Sequence, residues 1–300
     1  MSWLNPDRLA RSSAIDSSEE SERINLKCRR GSSYDEPPHS VSISSMPSRF
    51  SKQVPFSNQA IDLLPVYHTC DGFDARSHVE RREIRTTDVC EVFGETITYF
   101  FYGRPAFKYV VGDESTTDLA LYPVCFVMNL EKLGPLKRIF PFDTGAMFHK
   151  RLKRYFHRKN TVLDFELEPE TSRIKDVIFH FFGGTKNYIN PVRADREYAV
   201  EDFESVSYSK MIESHVRTEA DERRVTIELQ ADSAIALTKA SLQAIILPTQ
   251  LRGSKLYSEF IDANGIKAQC YDIEVWNPAL SFGLVSAAAK RFTLSMGYFK

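Results

Sequence analysis

Large apolar side chains are sparse before residue 54 and dense after it, and the dense part is cut into short runs that limit what the chain can fold into. Runs at 66–70, 122–129, 225–229, 242–247 and 266–273 have the length of strands and are rich in Val, Ile, Phe and Tyr. Helical signals lie between them. Residues 74–80 form a polar helical stretch, and 255–261 read as a helix stopped by Asn264-Gly265 acting as a left-handed cap. Residues 176–182 alternate weakly, and Gly183-Gly184 then breaks the chain. Strands and helices mixed without strict βαβ order imply an α+β fold, an antiparallel-rich sheet with helices packed over it. No period of about twenty to fifty residues repeats, which argues against a solenoid or propeller.

Residues 11–53 carry Ser12-Ser13, Ser17-Ser18-Glu19-Glu20, Pro37-Pro38 and Ser44-Ser45 with few large apolar groups. Such a segment buries too little surface to offset its ordering entropy, so 1–53 is expected to be a disordered or weakly ordered leader and 54–300 a single domain. The 39 basic and 40 acidic side chains nearly cancel, so the whole molecule has no field that draws it to nucleic acid or an anionic membrane. Five scattered cysteines, never spaced Cys-x-x-Cys, argue against a disulfide framework or a zinc cage, and no metal is expected. The N-terminus lacks a secretory pattern, and no run of about eighteen apolar residues could span a bilayer. A cytoplasmic protein without a membrane partner is expected.

Two strand-borne segments carry most of the chemistry. The first is Tyr67-His68-Thr69; the second runs from Tyr99-Phe100 through Gly103-Arg104-Pro105-Ala106 to Tyr109. Their order is similar to that in ADP-ribosyltransferases of the clade named for its His-Tyr-Glu triad. The resemblance implies a split sheet and a pocket that holds NAD bent. It implies that His68 donates to a hydroxyl of the adenine ribose while the backbone of Thr69 pairs with the nicotinamide amide. Tyr99 and Tyr109 would flank the nicotinamide ring, and Arg104, an arginine in an apolar run, would meet the pyrophosphate. Poly-ADP-ribosylating members usually have Gly after the histidine, so Thr69 points to a more divergent, bacterial type. The same residues also suit a structural histidine at a strand end and an aromatic core strand.

The triad's glutamate has two candidate positions. Glu228 lies in Val225-Thr226-Ile227-Glu228-Leu229-Gln230, where alternation gives Thr226, Glu228 and Gln230 one face. A carboxylate in mid-strand is unfavourable unless used or solvated, and a second strand follows as in the family, which favours Glu228; Gln230 could then orient the acceptor. Glu166 and Glu168 form the Glu-x-Glu spacing of arginine-modifying toxins, but Pro169 ends the segment, and solvated surface glutamates explain them as well.

Residues 149–159 are basic, with Leu152, Tyr155 and Phe156 at helical spacing, and read as a helix that either binds nucleic acid or is a solvated face. Asp143-Thr144-Gly145 is a helix-start signal with only a superficial likeness to aspartic proteases. Dinucleotide-fold, P-loop, zincin and hydrolase motifs are absent. The resemblance thus implies a transferase that moves ADP-ribose from NAD to a protein or nucleic acid, a bacterial toxin used against phage or rivals, with an antitoxin or other regulatory partner. The alternative is a non-catalytic nucleic-acid-binding or interaction domain that uses 149–159.

Overall fold

In a computed structural model of the chain, residues 47–59, 63–86, 88–107, 115–214, 223–273 and 277–298 are described. The chain divides into two units, 1–41 and 42–300, and all described residues belong to the second. Tyr109 and residues 1–46 of the expected leader lie outside them.

The second unit opens with α1 (Arg49–Gln53), β1 (Val66–Asp71), α2 (Gly72–Arg81), β2 (Glu83–Ile84) and β3 (Thr98–Tyr102). It continues with β4 (Pro123–Met128), β5 (Arg138–Phe140), α3 (Thr144–Phe148), α4 (Thr171–Val177), α5 (Thr185–Ile189) and α6 (Phe203–Glu213). The last part holds β6 (Glu228–Ala231), β7 (Ile235–Ala236), β8 (Leu242–Pro248), α7 (Thr249–Arg252), α8 (Lys255–Asn264), β9 (Lys267–Tyr271) and α9 (Pro278–Ser295). Among the described residues seven strands form one sheet in the order β5-β6-β3-β1-β4-β8-β9, and β2 pairs with β7 in a small ribbon. Every pairing in the large sheet is antiparallel except β8 with β9, whose connection passes through α7 and α8, as a parallel pair requires. The fold is mixed α+β with an antiparallel-rich sheet and packed helices, as its sequence implies.

The pairing of the central strands decides which side chains meet. Strand β1 pairs with β4 along its full length but with β3 only at Val66↔Tyr102 and Tyr67↔Phe101. Beyond Tyr67 the two strands part, and His68 Nδ1 bonds the Tyr99 carbonyl across the gap at 2.8 Å. Alternation then sorts the side chains. Val66, Cys70, Phe100, Tyr102, Phe126 and Leu229 enter the main core with α1, α2, α6 and α8. Tyr67, Cys125, Val127, Ala244 and Ile246 point to the other face, where α9 covers them with Phe282, Val285, Ala288 and Phe292.

Five local expectations change. Residues 176–182 are helical, a π-helical continuation of α4, and their weak alternation is overridden because Ile174, Val177, Ile178, Phe181 and Phe182 face one core. Residues 149–159 form turns, not a helix: Lys150 has φ +59°, and Leu152 and Phe156 drop into the cluster of Phe142 and Phe165. The strand expected from Val225 starts at Glu228, after a single 3-10 turn. Helix α9, eighteen residues long, was not anticipated, although Asn277 caps it and Pro278 opens it. At the front, Arg49–Gln53 is helical with Phe50 fully buried, so order begins before residue 54. Among the described residues no helix is long and apolar enough to cross a membrane.

Candidate active site

Glu228 begins β6 and pairs with Phe101 of β3 on one side and Phe140 of β5 on the other. In antiparallel pairs, opposed residues share a face, so Phe101, Glu228 and Phe140 form one row and Tyr99, Gln230 and Arg138 the next. This is the face opposite the main core. Glu228 is only 1 % exposed.

Its carboxylate is held by donors on both oxygens. The Thr144 backbone N–H donates to Oε2 at 2.9 Å, the Thr144 hydroxyl to Oε1 at 2.8 Å, and Gln230 Nε2 to Oε1 at 2.7 Å. Thr144 stands there because Asp143 caps α3, accepting from the Ala146 N–H at 2.8 Å. Three donors favour the ionised carboxylate, but burial, and after it the Asp143 charge, push the Glu228 pKa up to about 8. Burial and the fixed donors thus act in opposite directions on Glu228, and a positive charge beside it would favour the ionised form.

Tyr99 lies on the same face. Its hydroxyl donates to Cys90 Sγ at 2.6 Å, and its pKa is raised by burial first and then by the nearby Glu228 charge. Residues 90–95 lie over this row. Phe93 meets Phe140 with ring centroids 5.7 Å apart, the Arg138 guanidinium sits 4.5 Å from the Phe93 ring, and Glu95 pairs with Lys137 and Arg138. His149 Nε2, 3.4 Å from Glu91, ties this loop to the basic turns after α3.

The other sequence-derived residues are distributed unevenly. Thr69 shares the Tyr67 face, its hydroxyl beside the Cys125 thiol. His68 does not join Tyr99 and Glu228. One position before Thr69 on β1, it points into the main core, with ring centroids 5.6 Å from Phe100, 6.4 Å from Phe126 and 5.4 Å from His78. The period of two that gives Tyr99 and Glu228 a common face gives His68 the opposite one. Arg104 follows β3, stacked 4.9 Å over Tyr188 and donating to the Val225 carbonyl at 2.8 Å, with Nε and Nη1 buried and unpartnered. It is enclosed by protein.

Of the rival carboxylates, Glu168 is engaged by Arg173 at 2.8 Å and Ser51 at 2.6 Å, which ties α1 to α4. Glu166 lies at the rim, 3.9 Å from Arg138, its pKa raised by burial. The sequence treats Asp143 and Thr144 only as helix-start residues, and it passes over Cys90 and Arg138. The one available signal was that Asp143 follows a short aromatic strand able to pair with β6. Two surface cavities lie elsewhere: about 430 Å³ bordered by Phe56, Asp176, His180 and Arg196, and about 340 Å³ bordered by Lys132, Ser233 and Thr238. Neither touches Glu228 or Tyr99; the carboxylate at the edge of the larger one, Asp176, is held by the Ser57 N–H at 2.7 Å and by Arg173 at 2.6 Å.

The sequence matches no protein-family model and no curated protein. Among solved structures, the chain is similar to Thermus sp. 2.9 DarT in complex with NAD+, at 10 % identity and a TM-score of 0.38 over 73 % of this chain and all of that one. The same protein in complex with carba-NAD+ gives 9 % identity and a TM-score of 0.37 over the same shares.

Proposed function

We propose that the chain uses NAD as a substrate and transfers ADP-ribose to a macromolecular acceptor. The observation that carries this reading is Glu228, an enclosed carboxylate fixed by three donors on the face that also bears Tyr99. In the transfer the bond between the ribose and nicotinamide breaks, nicotinamide leaves with the bonding electrons, and positive charge develops on the ribose. An acceptor nucleophile then bonds to that carbon and loses its proton. A carboxylate held in place, without reorganisation, lowers the energy of the cationic stage. The positive nicotinamide ring of NAD would itself favour the ionised form of Glu228 on binding, and the Tyr99 ring offers it an aromatic face.

NAD would enter after the loop at 90–95 swings away, which separates the Tyr99 hydroxyl from Cys90 and His149 from Glu91. His68 stays outside the reaction, so the adenine ribose must find other partners. Lys150, Lys153, Arg158 and Lys159 are exposed on the turns beside that loop, which favours a nucleic-acid acceptor over a protein one. Service as a toxin or phage-defence effector, with an antitoxin as partner, belongs to the same proposal. The test is to incubate the protein with NAD labelled in its phosphates and with single-stranded DNA, RNA or cell protein. Label on nucleic acid is expected; intact NAD with every acceptor overturns the reading.

The exposed cations also support a second reading, a non-catalytic nucleic-acid-binding domain. It is favoured if wild type and Glu228→Gln bind DNA equally and neither consumes NAD.

A further inference from the structure

On the face of β1 away from Glu228, three potential metal ligands come together. His68 and Cys70 are two residues apart on one strand and therefore point the same way, while His78 faces them from α2. All three are buried, with 8 %, 9 % and 6 % of their surfaces exposed. One ring nitrogen from each histidine and the Cys70 sulfur lie within 4.8 Å of one another. The approach is built into the backbone. Helix α2 starts directly after β1, capped by Asp71 through the Asp74 N–H at 2.9 Å, and Gly72 passes so close to Leu119 that a Cβ would stand 2.1 Å from its carbonyl oxygen.

The hydrogen bonding of His68 fixes its tautomer. Nδ1 lies 2.8 Å from the Tyr99 carbonyl oxygen, which can only accept, so Nδ1 carries the proton and Nε2 carries the lone pair. That Nε2 is buried without a partner, as is Nδ1 of His78. Two buried imidazole nitrogens with no hydrogen bond are costly in a packed core unless something else engages them. A ring nitrogen bonded to a backbone carbonyl while the other faces inward is the arrangement that orients metal-binding histidines. Tyr257 of α8, which packs against α2, supplies a further polar atom: its buried hydroxyl has no partner.

We propose that His68, Cys70 and His78 bind one divalent metal ion of zinc type, with the Tyr257 hydroxyl or a water in the fourth position. Two imidazoles and a thiolate are a donor set that zinc accepts, and its tetrahedral shell spaces such donors roughly 3.3–3.6 Å apart, so side-chain rotation on the order of 1 Å closes the site. On binding, the Cys70 S–H bond breaks, a metal–sulfur bond forms, and the proton passes to solvent. The ion clips β1 to α2 and, through His68, braces the Tyr99 carbonyl. This replaces the expectation of no metal: the Cys-x-x-Cys spacing is absent, but His-x-Cys on a strand followed by a histidine on the next helix does the same work.

The test uses the full chain. Metal analysis of the purified protein is expected to find about one zinc per chain. Cobalt substitution should give the visible bands of a tetrahedral ion and a near-ultraviolet thiolate-to-cobalt band. That band should vanish in Cys70→Ser and persist in Cys270→Ser, whose cysteine is exposed and remote in sequence. If Cys70→Ser does not fold, X-ray absorption on the zinc-loaded wild type takes its place, with one sulfur and two imidazoles expected. Folded wild type that takes up neither metal, a band that survives Cys70→Ser, or a shell without sulfur overturns the proposal.

Discussion

At the scale of single residues, Glu228 shows how burial of one carboxyl makes folding depend on pH. Its carboxyl pKa rises from the ordinary glutamate value of 4.5 to about 8 in the folded chain, mainly by burial. The folded state therefore favours the protonated form. The contribution of this group to stability is fully present below the unfolded pKa and is lost as pH rises from about 4.5 to about 8. Glu228→Gln removes that loss, while any mismatch of its amide with the three donors is the same at every pH. Thermal melts should therefore show the variant gaining on wild type between pH 5 and pH 8. A difference in melting temperature that does not change with pH would mean that Glu228 is ionised at no penalty. That Glu228 and Gln230 share a face is legible in the sequence because alternation along one strand needs only local information, whereas Tyr99 is singled out only by the family resemblance. Asp143 was not legible, since its effect on Glu228 depends on the register Phe140↔Glu228 between strands far apart in the chain.

At the scale of elements, β1 carries two different surfaces one residue out of step. Thr69 belongs to the face of Tyr99 and Glu228, and His68 to the core, where it packs on Phe100, Phe126 and His78. Removing the imidazole should thus act on stability. His68→Ala is expected to lose about 2–4 kcal/mol in urea unfolding, in the range of other large buried side chains. A variant of unchanged stability that fails only in NAD binding would show that His68 faces the Glu228 side. The existence of β1, α2, β3, β4, β8, α8 and β9 could be read from run length and from caps such as Gly265, at φ +58°. Residues 149–159 could not, because helical spacing of Leu152 and Phe156 looks the same whether they line a helix or anchor turns in the aromatic cluster of Phe142 and Phe165.

At the scale of the whole folded unit, the sheet is covered on one face by the main core and on the other by α9 and by the loop over Glu228. The class of fold comes from the mixture of strand-length runs and helices, whereas strand order does not, since it depends on pairings such as β3 with β6 that cross more than a hundred residues. Helical order at Arg49–Gln53 also precedes the dense apolar part of the sequence. The polar residues around Phe50 hide that its ring stacks on Phe181 at 5.4 Å and meets Tyr208 at 5.5 Å. Phe50→Ala should cost about 3–5 kcal/mol by denaturant unfolding. A loss below about 1 kcal/mol would return residues 49–53 to the leader. The catalytic reading of this unit is tested most directly by free nicotinamide, measured with NAD and nucleic acid for wild type, Glu228→Gln and Glu166→Gln. Release by wild type and Glu166→Gln, with a fall of roughly 100-fold or more in Glu228→Gln, is expected. Release that persists in Glu228→Gln and is lost in Glu166→Gln, or none from wild type, would show that Glu228 is not the carboxylate of an ADP-ribosyl transfer.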